Sequence, residues 1–289
     1  MAKKKTVEQL RGVVNMGREA EESMEEGIHI SVYVDPTCSR WLALAVRDAL
    51  VPERDAVVDA LPLTQSPAVL GTDVGIIVAG HSEDAIRGAI RSFVAVRQHV
   101  IVVAESSLDI PDTPLPAKLE QFAASAVASE KGPLLERFAN ALIDSTEKDV
   151  SCAANFAFCR DVATARLVSK VAARNALMSV ADFIPGANML LTMNQVNLGF
   201  DIAATYGHGL SIGRIPEIIT IIAAGIVYRD AARLITRFVP ALGILIRVGM
   251  AYGGTLVTGR MLSSHFTETL PASSPGEGLE DSSMAVAKA

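Results

Sequence analysis

The sequence predicts an α/β domain with a parallel sheet, followed by an all-α helical module. Two observations predict this division. Apolar strand-like runs alternate with helical segments over residues 28–148, whereas residues 149–262 show helical spacing. The charge also changes sign, because residues 1–150 hold 15 Lys/Arg and 23 Asp/Glu but residues 151–262 hold 10 and 5. A basic, apolar module suggests a surface that meets anionic headgroups or an acidic partner, with ordinary drift in composition as the alternative.

The first element is a charged helix, predicted over residues 6–26 as part of an amino-terminal arm, residues 1–27. It begins with basic residues and ends in EAEESMEEG. This order opposes the helix dipole, so we expect its end to fray or to contact a partner, unless the whole arm is solvated. The preceding MAKKKTVEQL has positive charge without an apolar run behind it, which predicts no signal peptide.

Residues 28–148 then alternate between strands and helices. The predicted strands are IHISVYVD, DAVVDAL, DVGIIVAG and HVIVVAES, and the predicted helices are SRWLALAVRDAL, SEDAIRGAIRSFVAVRQ and GPLLERFANALIDS. A further segment, LEQFAASAVAS, precedes the last helix. Ser82 is the predicted N-cap of the second helix. Such alternation predicts a three-layer sheet joined by right-handed crossovers.

The loop after the first strand, DPTCSRWL, determines whether this sheet binds a nucleotide. A phosphate-binding loop needs glycines, then Lys and Ser/Thr, so that backbone N–H groups and a cation surround the phosphates. Asp35 and Pro36 stand there instead, and Arg40 is the cation nearest to them in sequence. We therefore predict no conventional nucleotide site and no cofactor, with an unconventional site built on Arg40, Asp35 and Glu105 as the alternative.

Metal and thiol chemistry have little support. The chain has three cysteines without a CxxC pattern, and its five histidines are scattered. We predict free thiols in a reducing cytoplasm, no metal site and no catalytic residue. Cys38 beside Arg40 is interpreted as a structural cysteine rather than an activated thiol.

The helical module begins with a long amphipathic helix predicted over residues 149–181, which FIPG ends. In the next helix two polar stripes accompany one apolar face, which favours a protein core over lipid. Residues 216–237 are too short an apolar run to span a bilayer, and residues 238–259 are the best spanning candidate. Gly249 and Gly253 would let another helix approach closely, either in a bundle or in a membrane dimer.

The segments FIPGANMLLTMNQ, IAATYGHGLSIGRIPEII, AAGIVYRDAARLITRFVPALG and MAYGGTLVTGR resemble bacterial domain-of-unknown-function family 697, the YcjF-like module. The resemblance covers about residues 165–262. It includes Pro185, Gly186, Gln195, Tyr206, Gly207, Ser211, Arg214, Glu217, Gly225, Arg229, Pro240, Ala251, Tyr252, Thr255 and Gly259.

This family commonly follows a small GTPase domain of the Era/EngA kind, so the resemblance implies a degenerate GTPase-like sheet domain and membrane association. HVIVVAESSLD lies where those proteins carry N-K-x-D, but Glu105, Ser106 and Ser107 depart from that motif. Together with the missing phosphate loop, this departure predicts that the chain does not hydrolyse GTP.

We therefore expect a non-enzymatic scaffold or adaptor on the cytoplasmic side of the cell membrane, self-associating and bound to anionic lipid or a membrane protein. The alternatives are an integral channel or transport component and an unconventional GTP-binding protein. Nucleic-acid binding is not expected, and residues 263–289 are predicted to be disordered. The candidate interaction residues are Gln195, Asp201, Tyr206, Arg214, Glu217, Arg229, Arg233, Arg237, Arg247, Gly249 and Gly253.

Overall fold

The computed structural model describes residues 2–64, 67, 71–180, 187–209 and 243–269. The strands are β1 (His29–Val34), β2 (Val57–Pro62), β3 (Val74–Val78), β4 (His99–Ala104) and β5 (Ala123–Val127). The helices are α1 (Ala2–Glu25), α2 (Arg40–Ala49), α3 (Glu83–Ala95), α4 (Lys131–Asp144), α5 (Asp149–Asn155), α6 (Arg160–Val180), α7 (Ala187–Thr205) and α8 (Gly243–Thr269).

The five strands form one parallel sheet in the order β2-β1-β3-β4-β5. Helices α2 and α4 pack on one face of the sheet, and α3 packs on the other. The predicted α/β class and the helical carboxyl-terminal part are confirmed. Strands β3 and β4 are apolar on both faces because both faces are covered, whereas β2 lies at an edge and is largely exposed.

The helix predicted over residues 149–181 is divided in two. α5 ends at Asn155, and a short 3-10 turn, Ala157–Cys159, precedes α6. Phe156 adopts an extended backbone at this break and its ring is fully buried in the sheet core. The break lets α5 cover the sheet while α6 turns away into the helical module.

The helical module has its own core, to which α1, α5, α6, α7 and α8 contribute. α1 buries Ala20 and Met24 there, so the partner expected for its acidic end belongs to the same chain. Ser151 Oγ donates to the Glu26 carbonyl at 2.6 Å and Lys148 Nζ to the Gly27 carbonyl at 2.6 Å. Both hydrogen bonds provide donors for carbonyl groups that follow α1. The ammonium group of Lys148 also lies near the carboxyl-terminal end of α1, which is the negative end of the helix dipole.

Several polar side chains of α7 lie inside a protein bundle, as the sequence indicated. Gln195 and Thr205 are buried, and Asn194 Nδ2 donates to Asn175 Oδ1 at 3.0 Å. Asn175 in turn donates to Thr255 Oγ1 of α8 at 3.1 Å. In the described parts of the chain, no helix combines the length and apolar character needed to cross a membrane. α8 continues to Thr269, seven residues beyond the predicted module boundary at residue 262.

The side chain of His29 contacts both the edge strand β2 and the loop before β3. Its Nε2 lies 2.7 Å from Asp59 Oδ2 and its Nδ1 lies 2.9 Å from the Gly71 carbonyl oxygen. Both partners are acceptors, so only the doubly protonated ring donates to both. The hydrogen bond to Asp59 raises the pKa of His29 above its ordinary 6.5.

We expect the stability that His29 contributes to be fully present below pH 6.5 and to be lost as the pH rises through the raised folded-state pKa. Urea unfolding at pH 6 and pH 8.5 measures this loss. His29→Gln should remove most of the difference, because glutamine does not titrate. An unchanged pH profile in the variant would assign the dependence to another group.

Candidate functional site

The sheet order places a crevice between the carboxyl ends of β1 and β3, where the connections leave in opposite directions. In doubly wound sheets this switch point is where ligands bind. Asp35 is the first residue after β1 and Glu105 is the first residue after β4. Gly80 is the second residue after β3. The structure therefore brings Asp35 into the position where a phosphate-binding site of such a fold would be expected.

The carboxylate of Asp35 is fully buried and accepts five hydrogen bonds. Three come from backbone N–H groups, those of Thr37 at 2.9 Å, Ser82 at 3.0 Å and Gly80 at 3.2 Å. Two come from hydroxyls, Thr37 Oγ1 at 2.8 Å and Ser82 Oγ at 2.9 Å. The carboxylate thus occupies a nest of convergent donors of the kind that binds anions.

The hydrogen bonds keep this buried carboxylate ionised. Burial raises the pKa of Asp35, but donation from the Thr37 and Ser82 backbones and hydroxyls outweighs burial, so the pKa lies below its usual value. Ser82 is the N-cap residue of α3, as predicted, but its side chain makes no cap hydrogen bond and donates to Asp35 instead.

Gly80 permits the close approach of the two loops that carry these donors. A Cβ atom at this position would lie 2.5 Å from both the backbone nitrogen of Cys38 and Oγ1 of Thr37. Backbone cannot yield at that distance, so a side chain at residue 80 would push the β1–α2 loop away from Asp35. The glycine is therefore required by packing around the carboxylate.

The remaining polar residues of the crevice have structural contacts. Ser39 caps α2 by accepting from Leu42 N at 3.1 Å, and its hydroxyl donates to the Glu105 carboxylate. Burial, followed by the charges of Asp35 and Glu105, raises the pKa of the Cys38 thiol. This favours the protonated thiol and supports the structural interpretation of Cys38. Arg40 is exposed at the start of α2.

The other two cysteines, Cys152 and Cys159, lie with their sulfur atoms 3.9 Å apart as free, buried thiols. Burial raises the pKa of Cys159 well above its usual value. In the described residues, no group of three or more His, Cys, Asp or Glu side chains is arranged to hold a metal ion.

No match to this chain is found among known protein families, curated proteins or solved structures. The likeness to family 697 and to small GTPases therefore stays a prediction from sequence motifs. The fold class itself is defined by the sheet and the helices around it.

Three of the candidate interaction residues lie inside or between helices of the module. Gln195 is buried, and its Oε1 has no hydrogen-bond partner in the described structure. Tyr206 is buried with its hydroxyl 2.7 Å from Ser263 Oγ. Asp201 Oδ2 accepts from Asn197 Nδ2 at 3.1 Å, and burial followed by repulsion from Asp149 raises the pKa of Asp201 to about 6. Gln195 and Tyr206 are thus core residues.

The predicted arginine stripe lies outside the described residues. It comprises Arg229, Arg233 and Arg237, and Arg214 and Glu217 lie outside them as well. Arg247 belongs to α8, but its side chain is not among those described.

Close helix packing occurs at a different glycine from the predicted pair. A Cβ added to Gly249 or Gly253 would meet no atom within 4 Å, whereas at Gly259 it would lie 2.3 Å from a methyl group of Val168 on α6. Gly249 and Gly253 lie on the more solvent-accessible side of α8. Among the described residues the close contact between helices is at Gly259, and the role predicted for Gly249 and Gly253 stays a prediction.

We expect Gly259→Ala to destabilise the fold by about 1–3 kcal/mol through overpacking against Val168. Gly253→Ala is the matched control and should be neutral or stabilising by up to about 1 kcal/mol, because alanine favours helix more than glycine does. Urea unfolding measures both. Adding Val168→Ala should restore part of the loss in the first variant, and equal effects of the two glycine substitutions would contradict the packing.

The donors around Asp35 were missed from the sequence. Asp-Pro-Thr after one strand and Gly-His-Ser after another are weak signals when read separately. Only the pairing of β1 with β3 brings them together, since Asp35 and Ser82 are 47 residues apart.

Proposed function

We propose that this chain is a non-catalytic adaptor at a membrane surface, with a pseudo-GTPase α/β domain and the capacity to self-associate. The observation that carries the proposal is the carboxylate of Asp35 in the switch-point crevice. It already binds the backbone donors that a phosphate would need. A phosphate entering there would meet a buried negative charge instead of free N–H groups.

The solvent side of α8 supports a peripheral attachment to lipid. Tyr252, Val257 and Met261 are exposed there although they are large and apolar, and the exposed Arg260 lies among them. Apolar side chains accompanied by a cation suit the boundary between anionic headgroups and acyl chains. The resemblance of residues 165–262 to family 697 supports the same placement on the cytoplasmic side of the membrane.

A nucleotide-binding experiment tests whether the Asp35 carboxylate excludes phosphate, as the proposal requires. Titration of the protein with a fluorescent guanine nucleotide and Mg²⁺ should give no saturable signal up to about 100 µM, beside a competent GTPase as positive control. Phosphate release should equal the buffer blank. Saturable binding in the low micromolar range would overturn the pseudo-GTPase assignment.

Vesicle sedimentation tests the membrane part. Wild-type protein should pellet with vesicles containing anionic lipid more than with neutral ones, and alkaline carbonate should release it from membranes. A double Val257→Glu, Met261→Glu variant should lose this binding, whereas Val96→Glu, at an exposed valine of the α/β domain, should retain it. Resistance to carbonate would instead favour an integral protein.

A further inference from the structure

We infer that the free edge of β2 is the surface through which a second copy of this chain binds, by antiparallel strand pairing about a two-fold axis. This inference names a surface for the self-association proposed above and rests on that part of the proposal. It does not depend on the nucleotide or lipid assignments.

Among the described residues, the main chain of β2 is bonded on one side only. Val57 N donates to the Ile28 carbonyl at 2.9 Å and Leu63 N to the Val34 carbonyl at 2.9 Å, so the odd-numbered residues face β1. Strand geometry then directs the N–H and C=O groups of Val58 and Ala60 away from the sheet. β2 is the terminal strand of the sheet. A row of outward main-chain groups is complemented by another strand.

The edge has little of the protection that natural edge strands carry. Such strands are usually guarded by unpaired charges, bulges or central prolines. In β2 the one charged side chain is Asp59, which is bound to His29, and Pro62 stands at the last position. Val57 and Leu61 are 51% and 44% exposed on this strand. The surface is therefore apolar and without a free charge to repel a partner.

An apolar groove of about 320 Å³ opens beside the same edge. Its walls include Val58 and Ala60 of β2, Val46 of α2 and Leu50, which caps α2. Val51, the next residue, also lines it and is 62% exposed. A strand added to β2 would extend the sheet under this groove and remove its apolar walls from water.

A second copy fits this edge better than an unrelated strand for two reasons. A two-fold axis makes the same outward donors and acceptors of Val58 and Ala60 meet each other, so the edge is self-complementary. Like charges placed opposite each other across a strand pair repel, but in each copy Nε2 of His29 lies 2.7 Å from Asp59 Oδ2, so that a protonated His29 compensates the charge of Asp59. Both copies therefore bring a matched edge.

Analytical ultracentrifugation over a concentration series tests the inference. Wild-type protein should show a monomer–dimer equilibrium. Ala60→Pro removes an outward N–H to which no described residue of the monomer is bonded, and it should weaken the dimer at least tenfold. Ala60→Ser keeps that N–H and should leave the dissociation constant within about twofold of wild type.

A second pair of variants covers the case in which proline perturbs the strand. Leu61→Lys adds a charge to the edge and should also weaken the dimer at least tenfold, whereas Val96→Lys, equally polar but away from β2, should not. Amide exchange at Val58 and Ala60 should be slow at high protein concentration and fast after dilution.

The outcomes separate the two proposals. A dimer that Ala60→Pro and Leu61→Lys leave intact would overturn the β2 interface while self-association stands. A wild-type protein that stays monomeric to about 100 µM would overturn both.

Discussion

Asp35→Ala is expected to lower the free energy of unfolding by about 3–5 kcal/mol, because it leaves buried donors without an acceptor. The backbone N–H groups of Thr37, Gly80 and Ser82 all lose their partner at once. Urea unfolding at pH 7 measures the loss. Asp48→Ala, which removes an exposed carboxylate from α2, is the control and should change stability by less than about 0.5 kcal/mol.

Acidification should reproduce the effect of Asp35→Ala in the wild type. The pKa of Asp35 is lowered in the folded state, so its contribution is complete above the ordinary pKa of 3.8 and is lost as the pH falls through the lower folded value. Inorganic phosphate gives a further check. It should raise the melting temperature of Asp35→Ala by filling the vacated nest and leave the wild type unchanged. A variant as stable as wild type would refute the anchoring role.

Asp201→Asn is expected to stabilise the protein at pH 8. Burial and the nearby Asp149 raise the pKa of Asp201 to about 6 from 3.8, with Glu19 adding to the rise and Arg174 and Lys170 opposing it. A shift of this size corresponds to about 3 kcal/mol of cost in the ionised form. Asparagine keeps an oxygen that can accept from Asn197 Nδ2 without the charge.

The sign of the pH dependence follows from the raised pKa. The folded state binds the proton more tightly than the unfolded state, so wild-type stability should fall as the pH rises from about 4 to about 6 and stay low above that. In Asp201→Asn, the free energy of unfolding should change little over this pH range. Asp161→Asn, at an exposed position of α6, should leave the wild-type profile intact. A variant that is less stable than wild type at pH 8 would contradict the electrostatic cost.

Strands β1 to β4 were predictable because their pattern is local, whereas β5 lies in the segment LEQFAASAVAS, which was not predicted as a strand. Runs such as DVGIIVAG are apolar over a strand's length and are bounded by turn residues, which is enough to define β3. The break at Phe156 was not predictable, because helical spacing continues through it and the burial of its ring in the sheet core depends on distant strands. Local periodicity carries no information about such a contact.

The candidate site shows the same limit more sharply. The sequence indicated that Asp35 is incompatible with a phosphate loop, which stays a prediction. It did not indicate that Asp35 itself binds the donors, since three of the five come from a loop 45–47 residues away. Gly249 and Gly253 have the spacing of contact glycines, but among the described residues the close helix contact is at Gly259, and spacing alone does not reveal which glycine faces α6.

The corner formed by α5 and α6 belongs to both cores. Cys152, Ala153 and Phe156 pack with the sheet, whereas Val150 and Ala154 pack with the helical module. A fragment ending at residue 148 would lose Cys152, Ala153 and Phe156 from the sheet core, so the halves of this chain are poor candidates for separate expression. A partner that pulls on the helical module would transmit force to the sheet through the corner between α5 and α6.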